Sequence, residues 1–211
     1  MTCDLSDAAA TAALVASVAP DVVLHAAGMT DVDGCESNPD AALRGNADST
    51  RNLARSIRGE ARLVYVSTDQ VYPNKAGPHA EGDEAPVNAY GRSKLAGERA
   101  ALEHPNGVAL RTSFFGDTRT SGKGSLSDFV VESLRAGKSV TFFRDVLFSP
   151  LHAATLATLI VQIVERGLRG VYNVGARSGM SKADFALAIA KRFNLSTDRK
   201  STRLNSSHGY I

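Results

Sequence analysis

The sequence predicts an α/β fold built on a parallel sheet, and two observations carry that prediction. Short apolar runs at residues 22–28, 61–67 and 108–111 alternate with longer helical stretches. Strands buried on both faces read as continuous apolar runs, and their alternation with helices builds βα units. Each run also ends in small or hydroxylated residues, namely Ala26-Ala27-Gly28, Ser67-Thr68-Asp69 and Thr112-Ser113. In an open parallel sheet, ligands gather beyond the carboxyl ends of the strands.

The elements follow in order. An Ala-rich helix runs to about residue 18 and is ended by Pro20-Asp21. The first strand, 22–28, is followed by a helix that starts at Asn38-Pro39 and reaches about residue 57. The second strand, 61–67, leads into a loop over 69–86 rich in Gly, Pro and acidic residues. Pro86 and Asn88 start the next helix and His104-Pro105-Asn106-Gly107 stops it, before the strand at 108–111. After Gly116 the rhythm changes: a loop at 118–124, a helix at 126–134, a strand at 140–143, a helix at 153–165, a strand at 171–174 and a capped helix at 181–193. The expected organisation is a parallel-sheet domain at 1–116, a smaller mixed α/β lobe at 117–197 and a tail at 198–211.

Composition narrows the class. With 211 residues, 43% of them hydrophobic, the chain can bury a real core. No apolar run approaches the ~20 residues that span a bilayer, and the start, Met1-Thr2-Cys3-Asp4, has neither the basic nor the apolar region of a signal peptide. Two cysteines, Cys3 and Cys35, are too few for a disulfide framework and point to a reduced, cytoplasmic setting. The five His are scattered, so no metal is expected. Residues 198–208 resemble the translation of a DNA-sequencing adapter, and the tail is set aside as foreign. It holds three of the 24 Lys and Arg and one of the 22 Asp and Glu, which leaves 21 of each sign elsewhere. A formally neutral chain without a basic patch gives no reason to expect nucleic acid or a membrane as partner.

The chemistry centres on Tyr90-Gly91-Arg92-Ser93-Lys94. Residues four apart share a helix face, so the Tyr90 phenol and the Lys94 ammonium can approach each other. A free phenol titrates near pH ~10; a neighbouring cation lowers that value towards the range of a general acid. The strand-end rule brings Ser67, Thr68 and Asp69 to the same crevice, although Ser67 and Thr68 are equally suited to capping a turn.

Together these motifs resemble the extended short-chain dehydrogenase/reductase family, and within it the dTDP-4-dehydrorhamnose reductases and their sugar-nucleotide relatives. The matching residues are Asp4-Leu5-Ser6-Asp7, Ala26-Ala27-Gly28-Met29-Thr30-Asp31-Val32-Asp33, Glu36-Ser37, Asn46-Ala47 and Ser67-Thr68-Asp69. They continue with Glu81, Asp83, Pro86, Asn88, Tyr90-Gly91-Arg92-Ser93-Lys94-Leu95-Ala96-Gly97-Glu98, Arg111-Thr112-Ser113 and Ser149-Pro150. The likeness covers about residues 1–196. It implies a Rossmann-like sheet and a reductase that uses NADP or NAD on a nucleotide-linked 4-keto sugar. Tyr90 would then be the proton donor, and Lys94 would lower its pKa and hold the nicotinamide ribose. Thr68, or less readily Ser67, would bond the reacting oxygen, and Asp69 and Phe114 would meet the sugar. Asp4 and Leu5 would flank the adenine, with Ala26-Ala27-Gly28 under the cofactor. A homodimer is a possible assembly.

Three positions depart from the reductases' pattern. Gln70 stands where they usually carry Tyr, Phe114 where they carry Trp, and His25 where they carry Asn. The changes bear on the sugar rather than on the reaction class. The family's opening strand and Gly-rich phosphate loop do not precede Asp4, so the natural protein is expected to start roughly 30–50 residues upstream, about one βαβ unit. The phosphate state of the cofactor cannot be read without that loop, and this chain alone is expected neither to reduce substrate nor to hold a dinucleotide tightly. Two alternatives stay open: an epimerase or dehydratase of the same family, and a non-catalytic binding subunit on the same fold.

Overall fold

A computed structural model describes residues 2–75, 77–118 and 124–197, together with the backbone of 202–205. The chain forms two compact units, one of residues 1–112 and 159–174, the other of residues 113–158 and 175–211.

The first unit opens with helix α1 (Ala8–Val18) and strand β1 (Val22–His25). Two short helices, α2 (Val32–Ser37) and α3 (Pro39–Leu43), a π-helical turn (Arg44–Asp48) and α4 (Ser49–Ser56) follow. The sequence predicts one helix over 39–57; the structure widens it by a turn that carries the fully buried Asn46. Then come β2 (Arg62–Val66), a 3₁₀ turn (Asp69–Val71), α5 (Ala89–Ala101) and β3 (Gly107–Arg111). Asp7 caps α1 by accepting from the amides of Ala9 and Ala10, and Asn88 caps α5 by accepting from Gly91.

The second unit holds β4 (Ser113–Phe115), α6 (Leu126–Arg135), β5 (Val140–Phe143), β6 (Leu147–Phe148) and β7 (Pro150–His152). Helix α7 (Ala153–Glu165) leads back to the first unit and β8 (Gly170–Asn173). The second unit then adds β9 (Met180–Ser181), α8 (Lys182–Arg192) and β10 (Thr202–Asn205). Its core is aromatic, with Phe185 edge-on to Phe115 and Phe148 at 4.9 and 5.4 Å. The sequence offers no sign of β10, which pairs in parallel with β5; the rest of residues 198–211 lies outside the described residues.

The first unit's sheet is parallel throughout, in the order β1-β2-β3-β8. Here one expectation is corrected. The strand read at 171–174 and assigned to the smaller lobe pairs with β3 instead, Val108 opposite Gly170. Position along the chain does not say which sheet offers a strand its hydrogen-bonding partner. On one face of the sheet, Leu63, Tyr65 and Ala109 pack with Val15 of α1, Leu53 and Ala54 of α4 and Ala101 of α5. Burying a Leu or Val side chain stabilises by about 1.5–3 kcal/mol.

Helix α5 approaches closely because Gly97 has no side chain: a Cβ there would collide with the Tyr65 hydroxyl and stand 2.6 Å from the Asn46 carbonyl. Alanine would gain ~1 kcal/mol of helix propensity, but the overpacking costs about 1–3 kcal/mol and a buried backbone carbonyl cannot step aside. Gly97→Ala is therefore expected to lower the urea midpoint, whereas Gly82→Ala, with open space around its Cβ, should shift stability by less than ~0.5 kcal/mol. Among the described residues no helix is long and apolar enough to cross a membrane.

Candidate active site

Because β1, β2 and β3 run in parallel register, the chain leaves all three at one edge. Ala26, Ala27 and Gly28 follow β1 there, exposed and nearly without side chains. Asn46 holds this turn, accepting from the Met29 amide at 2.8 Å and donating to the Met29 carbonyl at 3.0 Å and to Ser93 Oγ at 2.8 Å. Upstream, Asp4 is exposed and its carboxylate accepts from the amide and hydroxyl of Ser6. Leu5 packs against the core.

Tyr90 lies in the first turn of α5, buried with Cys35, Ala42 and Ala89. Burial pushes its phenol above the ordinary value, the Thr68 side chain pulls it down, and Asp69 and Cys35 push it up. Thr68 ends the second strand-end segment by capping the 3₁₀ turn, accepting from the Gln70 amide at 3.2 Å. Its hydroxyl also stands 3.3 Å from the Asp69 carboxylate. The structure thus brings Tyr90, Thr68 and Asp69 together.

Lys94 is placed differently from the expectation. Its ammonium donates to the Val66 carbonyl at 2.7 Å and lies 4.2 Å from the centre of the Tyr65 ring. The expected lowering of the Tyr90 pKa by Lys94 is not what this geometry produces. A buried ammonium needs acceptors, and the carbonyl that ends β2 supplies one. Desolvation brings the Lys94 pKa down to about 8, with Glu98 opposing the fall.

Ser67 is also turned inward. Its hydroxyl donates to the Glu98 carboxylate, which receives Arg111 Nη2 at 2.7 Å and Nε at 3.0 Å. Burial opposes the Arg111 charge, but hydrogen bonds with Glu98 and Tyr72 outweigh it and hold its pKa above the usual value. Arg111 Nη1 donates to the Tyr72 hydroxyl at 3.0 Å and the Glu81 carbonyl at 2.6 Å, tying the 69–86 loop to β3. Sequence reasoning gave Glu98 and Arg111 no role. The available signal was a charge on the Tyr90–Lys94 helix face, at 98, and another closing an apolar strand, at 111.

His25 is a packed strand residue. Thr50 Oγ1 donates to the Asn46 carbonyl at 2.6 Å, so the 3.1 Å contact from His25 Nε2 must be a donation to that oxygen. Desolvation, and then the Lys94 charge, lower its pKa to about 4. The unfolded chain takes up a proton near pH ~6.5 that the folded chain refuses until about pH 4, so stability falls as pH drops through that window. His25→Asn is expected to remove this loss, on the order of 3 kcal/mol, in urea melts compared at pH 7 and 4.

Phe114 belongs to the second unit, on β4, with 54% of its surface exposed. That unit also opens a cavity of about 520 Å³ lined by Phe115, Asp117, Glu132, Arg135, His152 and Arg192 among others, none of them named from the sequence as site residues.

The RmlD substrate binding domain family model matches residues 1–208. The chain belongs to this family. Three relatives are similar to the chain. The probable low-salt glycan biosynthesis reductase Agl14 of Haloferax volcanii is 34% identical, over 89% of this chain and 65% of its own length. The dTDP-4-dehydrorhamnose reductase of Mycobacterium tuberculosis is 37% identical over 84% and 60%. The methionine adenosyltransferase 2 subunit beta of Xenopus laevis is 32% identical over 91% and 60%. The chain therefore spans 60–65% of the length of these relatives. Among solved structures, a hypothetical dTDP-4-dehydrorhamnose reductase from Sulfolobus tokodaii superposes with TM-score 0.86 at 31% identity, over all of this chain and 74% of that one. The Bacillus anthracis dTDP-4-dehydrorhamnose reductase in complex with NADP gives 0.88 at 27%, over 97% and 72%. The Rossmann-like α/β class expected from the sequence is that of these RmlD-type neighbours.

Proposed function

We propose that the protein reduces a nucleotide-linked 4-keto sugar with NADPH or NADH, and that Tyr90 donates the proton. The observation that carries this reading is a buried phenol beside Thr68 and Asp69 at the ligand edge of a parallel sheet. Two reductases among the relatives, and a reductase structure in complex with NADP, support it. The exposed, side-chain-poor backbone of Ala26-Ala27-Gly28 suits a flat group lying across the end of β1. In this reading, the unit of residues 1–112 and 159–174 carries the dinucleotide, with Asp4 and Leu5 towards the adenine and Lys94 towards the ribose. The second unit, to which Phe114 belongs, carries the sugar.

A bound nicotinamide would supply hydride for the carbonyl carbon. The chain's own residues manage the oxygen. As the C=O π pair moves onto oxygen, the Tyr90 O–H bond breaks and its proton passes to that oxygen, leaving a phenolate. Thr68 donates a hydrogen bond to the same oxygen, and Asp69 meets the sugar hydroxyls. Burial keeps Tyr90 protonated before the reaction, so the donor is loaded at neutral pH. The free thiols Cys3 and Cys35 fit a reducing, cytoplasmic setting.

A second reading, a binding subunit without turnover, is favoured by the match to a methionine adenosyltransferase subunit beta. An assay of the complete protein encoded by its gene separates the two. Oxidation of NADPH or NADH in step with loss of dTDP-4-dehydrorhamnose supports the reductase. Dinucleotide binding with no turnover would select the subunit.

A further inference from the structure

We propose that Gln70 is a positioning residue that fixes the Thr68-Asp69 turn against the first turn of the helix carrying Tyr90. The inference rests on the reductase reading and adds a residue to it.

Gln70 touches both halves of the pair. Its amide donates to Thr68 Oγ1 at 3.2 Å. That bond occupies a lone pair of the hydroxyl, whose proton goes to the Asp69 carboxylate at 3.3 Å and would turn to a reacting oxygen when one is bound. The Gln70 side chain reaches the other half: Oε1 accepts from Asn88 Nδ2 at 3.0 Å. Asn88 Oδ1 in turn accepts from the Gly91 amide at 2.7 Å, as the cap of α5. The cap fixes which end of the Asn88 amide faces the helix, so its NH₂ must face Gln70, and Gln70 must present an oxygen. Tyr90 sits between the two residues joined by that cap.

Backbone packing reinforces the contact. A Cβ at residue 91 would collide with the Gln70 carbonyl, so the helix reaches the turn only because residue 91 is glycine. The Val71 carbonyl accepts from Ala85 at 2.9 Å and closes the loop behind the turn. Three contacts therefore set the distance between Thr68 and Tyr90, and only the Gln70 side-chain bond can be removed without touching backbone. A small misplacement of catalytic groups costs up to ~10²-fold in rate.

The test is a double-mutant cycle on the complete protein, with Gln70→Leu, Asn88→Ser and both together, assayed with dTDP-4-dehydrorhamnose and NADPH or NADH. Serine still caps Gly91, so the second variant removes the same bond if the first fails to fold. Each single change is expected to lower kcat about 10-fold with KM within about twofold, and the double variant should be no worse than the worse single. Melting curves should keep one cooperative transition. Unchanged kcat in both singles, a loss seen in KM alone, or a double variant that multiplies the two losses would overturn the proposal. Tyr90→Phe run alongside separates the levels. If it abolishes turnover while Gln70→Leu does not, only the role of Gln70 falls; if it leaves turnover intact, the reductase reading falls and Gln70 with it.

Discussion

Tyr90→Phe is expected to reduce turnover by ~10²–10⁴-fold while leaving cofactor affinity nearly intact, because it removes a proton donor and little else. The ring would keep its packing against Cys35, Ala42 and Ala89. The lost hydroxyl takes with it its hydrogen bond with Thr68, about 0.5–1.5 kcal/mol, so the variant should still fold. Lys94→Ala should behave differently and damage both turnover and dinucleotide binding. It also strips a donor from the Val66 carbonyl and a cation from the Tyr65 face. Steady-state kinetics with calorimetric titration of NADPH and NADH separates the two patterns. A Tyr90→Phe enzyme within a factor of two of the parent would end the proton-donor assignment.

The largest expected loss of stability lies one turn further along the same helix. Glu98 and Arg111 are 1% and 4% exposed and share three hydrogen bonds of 2.7–3.1 Å. Arg111→Met leaves the Glu98 carboxylate buried with Ser67 as its remaining donor. Removing one partner of such a pair costs about 3–5 kcal/mol. It also removes a donor from the Tyr72 hydroxyl and from the Glu81 carbonyl, leaving Asn173 of β8 to hold both residues to the sheet. Adding Glu98→Leu should recover much of the loss, since a buried pair replaced by apolar groups is often close to neutral. The surface pair Arg55–Glu103, at 3.5 Å with side chains 69% and 43% exposed, provides the contrast: Arg55→Met should cost less than ~1 kcal/mol. Urea midpoints of the three variants and the parent test the ranking.

Much of the first unit was legible because it is repetitive. Continuous apolar runs at β2 and β3, and the Asn88 start of α5, can be read only one way, and the parallel sheet follows. The strand at 170–173 was legible as a strand but not as a member of that sheet, because register depends on partners far along the chain. The two-residue strands β6 and β9 were not legible at all, being too short for any period to show.

Spacing and the strand-end rule singled out Tyr90, Thr68, Asp69 and Lys94 as candidates; the first three lie side by side, and the Lys94 ammonium turns to the Val66 carbonyl. Spacing on a helix states which face a side chain shares, not which acceptor its ammonium selects among a carbonyl, a ring and a phenol. Ser67 and Thr68 were indistinguishable as neighbours in sequence. The extended backbone just past β2 decides between them, turning Ser67 to Glu98 and leaving Thr68 beside Tyr90. Gln70 was noticed as a departure from the reductases' pattern, but only its bond to Asn88 suggests what it does.

The most direct measurement of the central claim is isotope transfer in the complete protein. The reaction is run with dTDP-4-dehydrorhamnose and NADPH or NADH deuterated at the transferring carbon, and the product is read by mass spectrometry for the parent and for Tyr90→Phe. The account predicts one deuterium at the former carbonyl carbon, formed ~10²–10⁴ times more slowly without the Tyr90 hydroxyl. An unlabelled reduced sugar, or a labelled one formed equally fast by both proteins, would contradict it.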